Sequence, residues 1–101
     1  MGFSFFGLFG QTNDFKIVDA DKFAKFIQEN DVTVLDVRTP AEHAEGYIPG
    51  TDFNIDVLDD SYTRIATGKL PKEKPVALYC RSGNRSKKAA RILVDKGYEV
   101  V

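Results

Sequence analysis

Two short runs constrain the fold more than any other feature of this chain. Val32-Thr33-Val34-Leu35-Asp36-Val37 and Val76-Ala77-Leu78-Tyr79 are almost continuously apolar and rich in β-branched residues. A strand with one wet face alternates apolar and polar side chains, whereas an unbroken run must be covered on both faces. Both runs are also too short for buried helices. They are expected to be interior strands of a parallel sheet, with helices above and below.

The segments around them fit that demand. Phe15-Lys16-Ile17-Val18 reads as a short strand. Asp19 or Asp21 can cap a following helix whose apolar Phe23, Phe26 and Ile27 recur at i, i+3, i+4. Thr39-Pro40-Ala41-Glu42 joins an N-cap, Pro at N1 and Glu at N3, and Gly46 with Pro49-Gly50 ends that helix early. Thr51 to Val57 is a weak strand because Asp52, Asn54 and Asp56 interrupt it. A helix is expected over Ser61 to Thr67, stopped by Gly68. Asn84 to Lys96 reads as another, with Ala89, Ala90, Ile92 and Leu93 buried and Gly97 as its C-cap. Tyr98 to Val101 begins a further strand. Strands separated by helices imply an α/β fold.

Residues 1–14 stand apart as an apolar tail, holding four of the eight Phe and no basic residue. They lack the charged start and cleavage site of a secretory signal, and Phe6 stands where an acylation pattern wants Ser or Thr. The tail is read as packed loosely on the body or engaged in a contact, ahead of one domain over 15–101. At 101 residues a second folded unit is excluded. No apolar stretch approaches the ~20 residues of a membrane span. One Cys and one His make neither an internal disulfide nor a zinc set, so no metal and no cofactor are expected. Net charge is −1, which gives no general attraction to nucleic acid. It hides an asymmetry: −5 over Met1 to Pro75 and +4 over Val76 to Val101, the part that holds the only cysteine.

That cysteine opens the segment Cys80-Arg81-Ser82-Gly83-Asn84-Arg85-Ser86, between an expected strand and an expected helix. Ligands of open α/β sheets bind at this carboxyl edge, where a loop turns N–H groups inward and a helix N-terminus adds positive potential. Gly83 permits the tight curve, while Arg81 and Arg85 supply charge for an oxyanion. Thiols in such settings have pKa values lowered from about 8.5 to roughly 3.5–7.5. Cys80 is therefore read as a nucleophile, against the alternative of an inert buried thiol.

Three segments carry a resemblance to a known family. Leu35-Asp36-Val37-Arg38-Thr39-Pro40-Ala41-Glu42, Gly46-Tyr47-Ile48-Pro49-Gly50-Thr51 and Leu78 to Ser86 resemble, in order and spacing, the signatures of the single-domain rhodaneses. Tyr47 replaces the family's usual His, Thr51 its usual Ala, and His43 stands where an aromatic is common. The resemblance covers Phe15 to Val101. It implies a three-layer α/β/α fold with a central, mostly parallel sheet of about five strands. It also implies sulfur transfer, with sulfane sulfur moving from a small anionic donor such as thiosulfate, through a persulfide on Cys80, to cyanide or an external thiol or protein acceptor. Arg81, Ser82, Gly83, Asn84 and Arg85 would form the donor-binding loop, and Ser82 and Ser86 would brace it through local hydrogen bonds. Asp36 and Arg38 are read first as a structural ion pair, with each other or with Glu42, and second as loop support. His43 is expected on the surface without a role as a base. The family normally continues past the last strand into a Gly-Gly turn and a Trp-bearing helix, so a fragment with an exposed flank near Val100 and Val101 is expected. A cytoplasmic location goes with the lone thiol and the small soluble composition.

Two other readings compete. Cysteine phosphatases and arsenate reductases place five residues between Cys and Arg, whereas four separate Cys80 from Arg85. A persulfide carrier without turnover, or a regulatory binding module, would keep the fold and lose the chemistry.

Overall fold

The computed structural model describes residues 6–9, 16–81 and 83–101, with side chains from Val18 onward, Ser82 excepted. The elements run β1 (Phe6–Phe9), β2 (Lys16–Val18), α1 (Ala20–Glu29), β3 (Thr33–Asp36) and α2 (Pro40–Glu45), then β4 (Phe53–Asn54), α3 (Tyr62–Lys69), β5 (Val76–Cys80) and α4 (Asn84–Asp95). The sheet order is β2-β1-β5-β3-β4. Strands β5, β3 and β4 are parallel, and β1 joins antiparallel to both β5 and β2. This is an α/β fold built around three parallel strands.

Both unbroken runs are interior strands. Every residue of β3 and β5 is buried, and their side chains divide between two cores. Ala77 and Tyr79 of β5 join Val34 of β3 and Phe23 of α1 on one face. Val76, Leu78 and Cys80 join Leu35, Val37, Tyr62 and Ala66 of α3, and Ala89, Ala90 and Leu93 of α4 on the other. Helices therefore cover both faces, as a sheet without a polar face requires.

Local signals set the helix ends. Lys22 N–H donates to Asp19 Oδ1 at 2.9 Å, which makes Asp19 the cap of α1. Helix α2 has the full reciprocal capping box between Thr39 and Glu42. Helix α3 departs from the sequence reading: it runs through Gly68 to Lys69 and caps at Leu70. Gly68 has no neighbour within 4 Å of where a Cβ would sit and no positive φ, so nothing forces the chain to turn there. Burial of Ala66 and Leu70 carries the helix past the glycine.

The end of the chain also differs from the expected strand. Tyr98 to Val101 contributes one parallel bridge, Val76 to Val100, with Val76 N–H donating to Glu99 O at 2.9 Å and Val101 N–H to Val76 O at 3.0 Å. Val100 is fully buried. The same edge of β5 meets β1 further along, in the register Phe6 to Cys80 and Gly7 to Tyr79. Strand β1 falls within the residues that composition set apart as a tail. The remaining expectations for that segment lie outside the described residues.

Tyr79 ties the turn after α2 to the sheet. Ile48 N–H donates to its hydroxyl at 3.2 Å, and Thr51 Oγ1 lies 2.9 Å from it. Thr51 gives its one proton to Ile48 O at 2.6 Å, so the Tyr79 proton goes to Thr51. Burial raises the Tyr79 pKa and keeps the phenol neutral. Tyr79→Phe would leave the buried Ile48 N–H without its acceptor. The expected loss is about 1–3 kcal/mol in urea unfolding, with an unchanged far-ultraviolet spectrum.

Candidate active site at the end of strand β5

Strand β5 delivers Cys80 to the carboxyl edge of the sheet, and α4 starts four residues later. The turn between them depends on Gly83, which sits at φ 91° in the left-handed region and is the N-cap of α4. In that conformation Gly83 N–H points back at the cysteine and donates to Sγ at 2.9 Å. The thiol is fully buried. It is held by a backbone donor at the positive end of a twelve-residue helix.

The sequence-nominated residues divide around it. Arg81 and Asn84 are exposed on the rim, Ser82 lies outside the described residues, and Gly83 forms the turn. Ser86 is buried beneath the loop, but its Oγ has no hydrogen-bond partner among the described residues. Among the described residues no hydrogen-bonded brace forms at Ser86.

Arg85 is not an open cation. Its Nη1 and Nη2 donate to Glu42 Oε1 and Oε2 at 2.8 and 3.0 Å, a bidentate pair joining α4 to α2. That pair, supplemented by the Thr39 N–H and hydroxyl, lowers the Glu42 pKa to about 2. Arg85 is raised in turn, chiefly by Glu42, with smaller contributions from charge on Cys80 and Asp56. Glu42 thus serves the capping box and the cysteine loop with one carboxylate.

Asp36 and Arg38 pair with each other, the first of the two readings. Both are fully buried. Arg38 Nε and Nη2 donate to the two Asp36 oxygens at 2.9 and 2.8 Å, and Arg38 N–H adds a third bond at 2.9 Å. Nη2 also donates to Gly46 O at 2.6 Å, and the guanidinium lies 5.6 Å from the Tyr79 ring centre. Burial opposes the Arg38 charge, but the bonds and charge of Asp36 outweigh it and raise its pKa. Asn54 spans the same corner, donating to Asp36 O and Arg38 O at 3.1 and 2.9 Å.

Sequence reasoning undervalued two residues here. His43 has Nδ1 2.9 Å from Asp36 Oδ2 and stacks on Tyr47 with ring centres 4.4 Å apart, so it belongs to the buried network. The available signal was its position one turn beyond the Thr39 cap, which directs it back over the end of β3. Glu42 reads from sequence as the N3 residue of the α2 start and as a partner for Asp36 and Arg38. Its actual partner is 43 residues away, and no local pattern announces that pairing.

Two outcomes are expected. Asp36→Ala takes the carboxylate from the buried Arg38 charge and should cost about 3–5 kcal/mol in urea unfolding; Asp36→Ala with Arg38→Met should recover part of that loss. Because the folded Glu42 pKa is depressed, its stabilisation is complete above the unfolded value of 4.5 and fades as pH falls toward 2. The stability difference between wild type and Glu42→Gln should accordingly be constant above pH ~5 and vanish near pH ~2, measured by denaturation at each pH.

Comparisons with known proteins agree with this geometry. A family described as "Rhodanese-like domain" matches residues 19–101. The chain is 35% identical over 82 residues to a sulfurtransferase of Allochromatium vinosum, covering 80% of this chain and 73% of that protein. It is 36% identical over 84 residues to a tRNA uridine(34) hydroxylase of Pelagibacter ubique, covering 83% of this chain and 28% of that one. The crystal structure of a rhodanese-related protein from Thermoplasma volcanium superposes with a TM-score of 0.63 at 36% identity, over 77% of this chain and 76% of that one. With the match over residues 19–101 and a relative 35% identical over most of its length, the chain belongs to the rhodanese-like domain family.

Proposed function

We propose that the chain is a sulfurtransferase in which Cys80 carries sulfur from a sulfane donor to an external acceptor. The observation that supports this most is the Gly83 N–H aimed at Cys80 Sγ from 2.9 Å at the mouth of α4. A donor of that kind favours negative charge on sulfur, in the attacking thiolate and in the persulfide alike. The Cys80 thiolate attacks the outer sulfur of thiosulfate, and the donor S–S bond breaks with its electron pair leaving on sulfite. The persulfide then gives its outer sulfur to cyanide, forming thiocyanate, or to a thiolate, forming a new persulfide; either transfer restores the Cys80 thiolate. Arg81, Gly83, Asn84 and Arg85 form the donor-binding loop in this reading, with Ser82 assigned to it from the sequence alone, and the Asp36–Arg38 pair supports its foundation. Cys80 is the only cysteine in these 101 residues, so the acceptor comes from outside them.

A carrier or regulatory module is the second reading. The tRNA uridine(34) hydroxylase relative supports it, because similarity there spans only 28% of a larger protein. Turnover separates the two. Thiosulfate should add one sulfur to the intact mass, cyanide should remove it, and Cys80→Ser should abolish the addition. Repeated thiocyanate release identifies the catalyst, and a single loading without turnover identifies the carrier. Sulfur loading that survives in Cys80→Ser would refute both.

A further inference from the structure

Arg85 is the cation that the first turn of α4 brings within the field of Cys80. Its charge is already matched inside the protein. The two terminal guanidinium nitrogens face the two Glu42 oxygens, and the partners are only 22% and 24% exposed, so water screens the pair weakly. Asp56 adds a second carboxylate to the surroundings of Arg85. Glu42 is held in place independently, since Thr39 N–H donates to its Oε1 at 3.1 Å. A doubly charged donor entering the loop thus meets an Arg85 whose charge is already matched by Glu42. The mouth has less positive charge than its two arginines imply.

This inference rests on the sulfur-transfer reading and refines its substrate. We propose that Glu42 is a specificity-determining residue: by matching the charge of Arg85 at the mouth of the Cys80 loop, it biases the site toward sulfane donors with one negative charge, organic persulfides, over dianions. Such a donor balances without a co-reactant. The Cys80 thiolate attacks the outer sulfur of R–S–S⁻, that S–S bond breaks, and R–S⁻ leaves while the persulfide forms on Cys80.

Glu42→Gln tests it, because Gln at N3 still accepts from the Thr39 backbone and the substitution removes charge while keeping the cap. Second-order loading of Cys80 is measured by intact mass with thiosulfate and with hydroxyethyl persulfide, in wild type and variant. The thiosulfate-to-persulfide ratio should rise about three- to tenfold in Glu42→Gln, and Glu42→Asp, which keeps the charge, should return it toward wild type. The ratio of alkylation by iodoacetate to that by neutral iodoacetamide should rise in parallel. Asp56→Asn leaves α2 untouched and should move both ratios the same way by less, which keeps the test decisive if Glu42→Gln does not fold. Unchanged ratios, or equal losses with both donors, would overturn the proposal and assign Glu42 a purely structural role. If neither donor loads sulfur, the sulfur-transfer reading fails, and the iodoacetate ratio still decides whether Glu42 sets the charge at the thiol.

Discussion

Burial of β5 on both faces is the constraint from which the rest of the structure follows. Side chains alternate along a strand, so placing Tyr79 in the core under α1 necessarily sends Cys80 to the opposite face, against α4. The same residue pair thus fixes two things at once. Tyr79 holds the turn after α2 through its hydroxyl, and Cys80 ends the strand where α4 begins. A slip of one residue in the β3–β5 register would exchange the two environments.

Three polar contacts then position the carboxyl edge. The buried Asp36–Arg38 pair fixes the corner after β3 and reaches Gly46 O. Glu42 carries α2 to Arg85 and so to α4. Gly83 turns its N–H toward the sulfur. They differ in physical kind. The first is a desolvated ion pair, weak evidence for stability but expensive to break. The second is a partly buried bidentate pair that sets local charge. The third costs little because glycine accepts the left-handed backbone it needs. Of the three, the Gly83 N–H touches the sulfur of the chain's one cysteine directly, and Arg85 acts on it through charge.

Much of this arrangement is local and hence readable from the chain. The unbroken apolar runs dictate interior strands because no polar face exists to meet water. Thr39, Pro40 and Glu42 dictate the start of α2 because capping uses donors and acceptors within one turn. The Cys80-to-Ser86 segment dictates a strand–turn–helix because a glycine at its middle is needed to turn the chain. Asp36 and Arg38, two residues apart, pair within reach of each other. In contrast, Gly68 misleads: as a lone glycine it reads as a stop, but burial of Ala66 and Leu70 outweighs its backbone entropy.

Tertiary structure alone decided the rest. By sequence Arg85 is a cation for an anionic donor and Glu42 a helix-start residue; folding α2 and α4 onto the same edge makes them partners and removes Arg85 from the set of open cations. His43 reads as an exposed helix residue until the end of β3 places Asp36 beneath it. Tyr98 to Val101 reads as a strand, but the edge of β5 is already paired with β1 at Tyr79 and Cys80, and Val100 pairs only at Val76. Backbone periodicity, caps and turns act over a few residues, so the sequence by itself determined the elements and the place of the thiol. Charge pairing and edge occupancy act across the folded sheet, so only the three-dimensional structure determined the charge that the thiol's surroundings present.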